Sequence, residues 1–193
     1  GLKDDDKHKA EHYLQSYVTA RMEKFLATKG KKLIGWDEIL EGGLAPDATV
    51  MSWRGTNGGM KAIAEGHDVI FTPTHYCYLD HHQDPEQYHR AGRYLPLEKV
   101  YSFDPLQEEI AEEDVHHVLG VQGCLWTEHV LEAWHAEMQL YPRVFAIAET
   151  AWSPAEKKNW PDFEQRATNF TKVARDWGYN VYVKPMTNVG TTD

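Results

Sequence analysis

The chain has 193 residues, 41% of them hydrophobic and 12% aromatic, which is enough material for a packed core and excludes the apolar-poor composition of disordered chains. Its 20 Lys and Arg against 30 Asp and Glu leave a net charge of −10. That balance excludes a nucleic-acid partner, whose binding draws its affinity from clustered cations. No apolar run approaches the roughly 20 residues that span a bilayer. The charged opening Gly1-Leu2-Lys3-Asp4-Asp5-Asp6 lacks the apolar centre of a signal peptide, so either the protein is intracellular or its targeting segment lies outside this sequence. Cys77 and Cys124 have no spacing typical of a metal or disulfide framework.

Over residues 7–28 the apolar side chains Ala10, Tyr13, Leu14, Tyr17, Val18, Met22, Phe25 and Leu26 recur at three- and four-residue steps. This predicts a helix with one apolar stripe, stopped by Gly30. Four short apolar runs follow: Leu33-Ile34-Gly35-Trp36, Val50-Met51-Ser52-Trp53, Val69-Ile70-Phe71 and Val118-Leu119-Gly120-Val121. Apolar character without alternation predicts strands covered on both faces, as in a parallel sheet. Met60, Ile63 and Ala64, closed by Gly66, predict a short helix between the second and third strands, whereas the link over 41–46 is too short for a crossover helix. Residues 73–105 are rich in His, Tyr, Asp and Pro without a steady period and read as a functional loop. Trp134, Met138, Tyr141, Phe145, Ala148 and Trp152 repeat at helical steps across a break at Pro142. A last helix over 162–177 is expected to bury Phe163, Ala167, Phe170, Val173, Ala174 and Trp177 before Gly178.

Aromatic and acidic residues gather where the strands end: Trp36-Asp37-Glu38, Trp53-Arg54, Tyr78-Leu79-Asp80 and Trp126-Thr127-Glu128. Barrels and open parallel sheets bind ligands at the carboxyl ends of their strands. Rings there can cover the apolar C–H faces of a sugar while carboxylates accept hydrogen bonds from its hydroxyls. Any single Trp also fits a core role; repetition at four strand ends favours a carbohydrate site. Asp37 and Glu38 are adjacent, and neighbours on a strand point to opposite faces, so they are not expected to act together unless the chain turns there. His8 and His12 stand four apart among charged residues, and His81-His82 and His116-His117 are adjacent pairs that converge poorly on one ion. No metal and no cofactor is expected. Gly42-Gly43 and Gly58-Gly59 lack a phosphate-loop context and read as turns, and no GxSxG elbow is present.

Taken in order, Gly35-Trp36-Asp37-Glu38-Ile39, Met51-Ser52-Trp53-Arg54-Gly55, Tyr78-Leu79-Asp80, Trp126-Thr127-Glu128 and the stretch from Tyr141-Pro142-Arg143 to Ala148-Glu149-Thr150-Ala151-Trp152-Ser153-Pro154 resemble β-N-acetylhexosaminidases of glycoside hydrolase family 20. The resemblance runs from about residue 10 to residue 178. It implies an α/β fold, the (β/α)8 TIM barrel, that removes terminal N-acetylglucosamine or N-acetylgalactosamine from glycans with retention of configuration. The substrate's own acetamido oxygen would be the nucleophile, an exception to the two-carboxylate scheme. By motif, Trp36, Trp53 and Trp126 would wall the acetamido pocket and the sugar face. Tyr78 would take the catalytic role of aiming the acetamido oxygen, and Asp80 and Glu128 would bind the hydroxyls at C4 and C6.

One departure shapes the expectation. The family's catalytic Asp-Glu pair lies in an HxGGDE-like motif after the fourth barrel strand, and this sequence has neither that motif nor the arginine of the first strand. Asp37-Glu38 belongs to the later GWDE motif. Residues 1–193, set against roughly 250 for a complete barrel, are therefore expected to hold only its C-terminal half, about strands five to eight. Without its general acid, a group contributing about 10²–10⁴-fold, the chain alone is expected to be inactive. Half a barrel also leaves two strand edges open, a template for self-association. The alternative reading is a non-catalytic carbohydrate-binding module. Members of the family are often exported, which implies a periplasmic, secreted or lysosomal parent; the sequence itself leaves the compartment and the sugar preference open.

Overall fold

A computed structural model of the chain describes residues 3–4, 6, 9–86, 92–106 and 109–183. It divides into two compact units, Gly1–Cys77 with Asp104–Gln122, and Tyr78–Phe103 with Gly123–Asp193.

The first unit carries helix α1 (Ala10–Ala27), strands β1 (Ile34–Trp36), β2 (Thr49–Ser52) and β3 (Val69–Phe71), helix α2 (Asn57–Ala64) between β2 and β3, the short helix α3 (Thr74–Cys77), and strand β4 (Val118–Val121). All four expected strands form, and they pair parallel in the order β1-β2-β3-β4. Sequential parallel neighbours with no reversal of strand order are consistent with part of a barrel. Coverage differs along the sheet. Val50, Val69 and Phe71 on the inner strands are fully buried, while Ile34 and Leu119 on the outer strands are exposed. The expectation of strands covered on both faces therefore holds for β2 and β3 only. As expected, no crossover helix joins β1 to β2; a 3-10 helix over Asp37–Leu40 takes its place.

Helix α1 forms where its period places it, and Gly30 follows at a φ of +65°. Lys7 and His8, included in the expected span, lie outside the described residues. None of the helix is buried: Leu14, Tyr17, Val18, Met22 and Phe25 are 47–55% exposed. Its ties are polar, with Ser16 Oγ donating to the Gly43 carbonyl at 3.0 Å and Glu23 accepting from the Asp47 N–H at 2.8 Å. Periodicity specifies an apolar stripe but cannot supply the surface that covers it. Helix α2 buries Gly59, Ala62 and Ile63, leaving Ala64 exposed.

The second unit holds helices α4 (Leu97–Tyr101), α5 (Ala133–Leu140), α6 (Arg143–Trp152) and α7 (Trp160–Asp176). The segment read as a loop over 73–105 thus contains α3 and α4, with residues 87–91 outside the described set. Pro142 separates α5 from α6, as expected, after a cis Tyr141–Pro142 bond. The buried face of this pair is not the apolar stripe. His135, Gln139, Arg143, Ala146, Ile147 and Thr150 face inward, while Trp134 and Trp152 are exposed, Trp152 by 88%. Helix α7 likewise buries Phe163, Ala167, Thr171 and Ala174 and leaves Phe170, Val173 and Trp177 outside. All three helices carry apolar residues outside their buried face, so the period alone does not select the side that packs.

Asn159 caps α7 by accepting from the Asp162 N–H at 3.0 Å. The Tyr101 ring stacks on Phe163 at 4.3 Å, and its hydroxyl donates to Glu149 at 3.0 Å. Glu149 also pairs with Arg166 at 2.7 Å. The Arg166 guanidinium, helped by the Tyr101 hydroxyl and opposed by burial, holds the Glu149 carboxyl below its ordinary value. A depressed carboxyl stabilises the fold above its unfolded pKa, near 4.3, and that contribution is lost as pH falls through the lower folded value. The melting temperatures of the parent and Glu149→Gln are accordingly expected to differ at pH 7 and to converge below about pH 4. A gap undiminished at pH 3 would refute this assignment. No helix among the described residues is long and apolar enough to cross a membrane.

Candidate active site

In the first unit, Trp36 ends β1 opposite Met51, and the chain turns at once into the 3-10 helix. Asp37 and Glu38 therefore leave the strand, which is the turn that the expectation about them left open. The turn does not make them a catalytic pair. Asp37, 2% exposed, accepts the backbone N–H groups of Trp53 and Arg54 at 3.1 Å each and Arg54 Nε at 2.6 Å. Both Glu38 carboxylate oxygens lie 3.1 Å from Trp53 Nε1. The Trp53 carbonyl in turn accepts from the Thr74 N–H at 2.9 Å and from its hydroxyl at 2.8 Å. Trp53 is thus held at its N–H, its carbonyl and its indole nitrogen, which fixes the plane of the ring.

Asp37→Ala would leave two backbone donors without their acceptor and is expected to cost about 3 kcal/mol. Urea denaturation of the variant checks this. Arg54→Ala removes a half-exposed partner and should cost less than about 1 kcal/mol; equal losses would locate the effect in the ion pair instead.

In the second unit, the Leu79 N–H donates to the Cys124 carbonyl at 2.6 Å, and Tyr78 and Cys124 form a parallel bridge. This aligns the segment carrying Tyr78 and Asp80 with the segment leading to Trp126. The Tyr78 ring, 8% exposed, lies 6.2 Å from that of Trp126 at 47°. Asp80 accepts from its own N–H and from that of Trp126, and its Oδ1, though buried, has no hydrogen-bond partner among the described residues. Burial pushes the Asp80 carboxyl above its ordinary value and nearby Glu128 adds to this, while the two N–H groups and the charge of Arg143 oppose it. Trp126 is 40% exposed, and Glu128 is exposed in a 3-10 helix over Thr127–His129.

Of the six expected site residues, Tyr78, Asp80 and Trp126 stand together, with Glu128 close enough to act on Asp80. Trp36 and Trp53 belong to the other unit. Two buried residues around Asp80 carried no functional expectation. Gln139 donates to the Asp80 carbonyl at 2.8 Å, and Arg143 binds the carbonyls on either side of it. The available signal was a polar series at four-residue spacing, His135, Gln139 and Arg143, running through an otherwise apolar window. Chemically, a ring face, a tyrosine and a carboxylate with one unsatisfied oxygen suit a ligand with an apolar face and hydroxyl donors.

Comparison with known proteins bears on that chemistry. The family model described as glycosyl hydrolase family 20, catalytic domain, matches residues 2–155. A beta-hexosaminidase of Porphyromonas gingivalis is 50% identical over 172 residues, 88% of this chain and 21% of that protein. A beta-hexosaminidase of Vibrio furnissii is 34% identical over 142 residues, 70% of this chain and 23% of that protein. Among solved structures, an exo-β-N-acetylglucosaminidase from Vibrio harveyi in complex with N-acetylglucosamine aligns with a TM-score of 0.80 at 29% identity, over 88% of this chain and 27% of that one. The chain therefore spans less than a third of the length of each. With the family matched over most of its residues and one relative identical at half of the aligned positions, this chain belongs to glycosyl hydrolase family 20.

Proposed function

We propose that this chain supplies about strands five to eight of the (β/α)8 catalytic barrel of a retaining β-N-acetylhexosaminidase, and with them part of the pocket for a terminal N-acetylglucosamine or N-acetylgalactosamine. The observation that carries this reading is the grouping of Tyr78, Asp80 and Trp126, in which a carboxylate oxygen stays unengaged beside an aromatic wall. Trp126 covers the sugar face. Tyr78 hydrogen-bonds the acetamido oxygen as it attacks the anomeric carbon, and Asp80 and Glu128 accept from ring hydroxyls. On this reading the general acid that protonates the leaving group comes from outside these residues, and the engagement of Asp37 and Glu38 with Trp53 and Arg54 supports keeping those two out of that role. The complete natural protein carrying this sequence should release p-nitrophenol from p-nitrophenyl N-acetyl-β-D-glucosaminide, and the isolated chain should not. Comparable turnover by the isolated chain would overturn the assignment. Sugar binding by the complete protein without turnover would favour the alternative, a non-catalytic carbohydrate-binding module.

The apolar surfaces left open on α1, on the outer strands at Ile34 and Leu119, and on α7 at Phe170, Val173 and Trp177 support a second part of the proposal. In a complete barrel, neighbouring elements cover them; in isolation, the chain self-associates through them. Sedimentation of the isolated chain as a monomer at all concentrations would contradict this.

A further inference from the structure

Arg143 is a fully buried side chain at the start of α6, and nothing in the proposed chemistry uses it. A guanidinium taken out of water normally needs a carboxylate to compensate it. Among the described residues none hydrogen-bonds to this one. Its Nη1 instead donates to the carbonyls of His81 at 2.8 Å and Leu95 at 3.0 Å, and its Nη2 to those of Leu79 at 2.5 Å and Gln139 at 2.7 Å. Gln139, one turn earlier on α5, donates to the carbonyl of Asp80. Two side chains thus take the carbonyls of three consecutive residues, Leu79, Asp80 and His81. That segment also carries Tyr78 and the Asp80 carboxylate.

The arrangement restrains more than the fold requires. Any donor would satisfy a single buried carbonyl, but a planar fork with donors at fixed angles sets the relative directions of several at once. Those directions fix the backbone from which the Asp80 carboxylate projects and which continues from Tyr78. Burial pushes the guanidinium down to about 9, so it stays cationic at neutral pH, and its charge favours the ionised form of Asp80. We infer that Arg143 and Gln139 are positioning residues, a carbonyl clamp that aims Tyr78 and Asp80 at the sugar. The inference rests on the site reading proposed above.

The test uses the complete natural protein carrying this sequence, with p-nitrophenyl N-acetyl-β-D-glucosaminide as the probe. Arg143→Lys keeps the charge but loses the fork, and Gln139→Leu removes one donor at nearly constant volume. Each is expected to lower kcat/KM by about 10–100-fold, the cost of a small misplacement of reacting groups. In the Gln139→Leu background, Asp80→Asn should cost much less than it does alone, because the carboxylate is already misaimed. Losses that multiply strictly, or full activity in both clamp variants, would overturn the clamp. Should Arg143→Lys fail to fold, the Gln139→Leu cycle decides by itself. Full activity of both Tyr78→Phe and Asp80→Asn would overturn the site reading and the clamp with it, whereas large losses in those two beside an active Gln139→Leu overturn the clamp alone.

Discussion

Replacing Tyr78 by Phe in the complete protein is expected to lower kcat on p-nitrophenyl N-acetyl-β-D-glucosaminide by about 10²-fold, the cost of misplacing the attacking oxygen that the hydroxyl is proposed to aim. The ring itself is structural. It is buried and packs beside Trp126, and Phe keeps that contact, so the melting temperature should change little. KM should move less than kcat, because on the proposed role the hydroxyl aims the acetamido oxygen at the anomeric carbon, which governs the approach to the transition state more than the binding of the sugar. Trp126→Ala provides the contrast. Its ring is partly exposed, so truncation should spare the fold and weaken binding of the sugar face. Activity of Tyr78→Phe within threefold of the parent would remove Tyr78 from the reaction, and a protein that only binds sugars would have no kcat to lose.

The largest stability effect is expected at Phe71, where Phe71→Ala should cost about 3–5 kcal/mol. Phe71 ends β3 with no exposed surface and lies directly beneath Gly59 of α2. A Cβ built on Gly59 would collide with Phe71 Cε1 and lie 2.9 Å from its Cζ and 3.0 Å from Val69 Cγ1. The absence of a side chain at Gly59 is therefore what lets α2 approach the sheet. Gly59→Ala should destabilise by about 1–3 kcal/mol through overpacking. The two changes are coupled: in a Phe71→Leu background the new methyl has room, so Gly59→Ala should cost less than it does alone. Denaturant midpoints of the four proteins in the cycle check this, and independent, additive costs would mean that α2 is placed by other contacts.

Much of the architecture was legible from short-range pattern. Each of the four apolar runs became a strand of one parallel sheet, because an uninterrupted apolar segment bounded by polar turns has few other ways to satisfy its backbone. The strand-end residues Trp36, Trp53, Tyr78, Asp80, Trp126 and Glu128 were legible as candidates from their place in the sequence, and the structure sets Tyr78 and Asp80 beside the segment leading to Trp126. The fate of Asp37 and Glu38 was less so. Residue spacing along a strand could not show that the chain turns at Trp36, or that the two carboxylates bind Trp53 and Arg54 some 15–17 residues away.

The helices mark where sequence alone stops. Spacing of apolar residues specified that α1, α5, α6 and α7 are helical, because a period near 3.6 is a property of the local chain. Which side of each helix packs depends on the surfaces that other segments bring, and those are distant in sequence. By hydrophobicity Trp152 belongs inside and Arg143 outside, yet the tertiary structure exposes Trp152 by 88% and buries Arg143 completely. The reason lies in backbone carbonyls 48–64 residues away, which need donors that no apolar side chain can supply. The sequence by itself determined the family and the strands and proposed the site residues; only the tertiary structure showed that a buried cation, Arg143, and an amide, Gln139, bind the carbonyls of Leu79, Asp80 and His81.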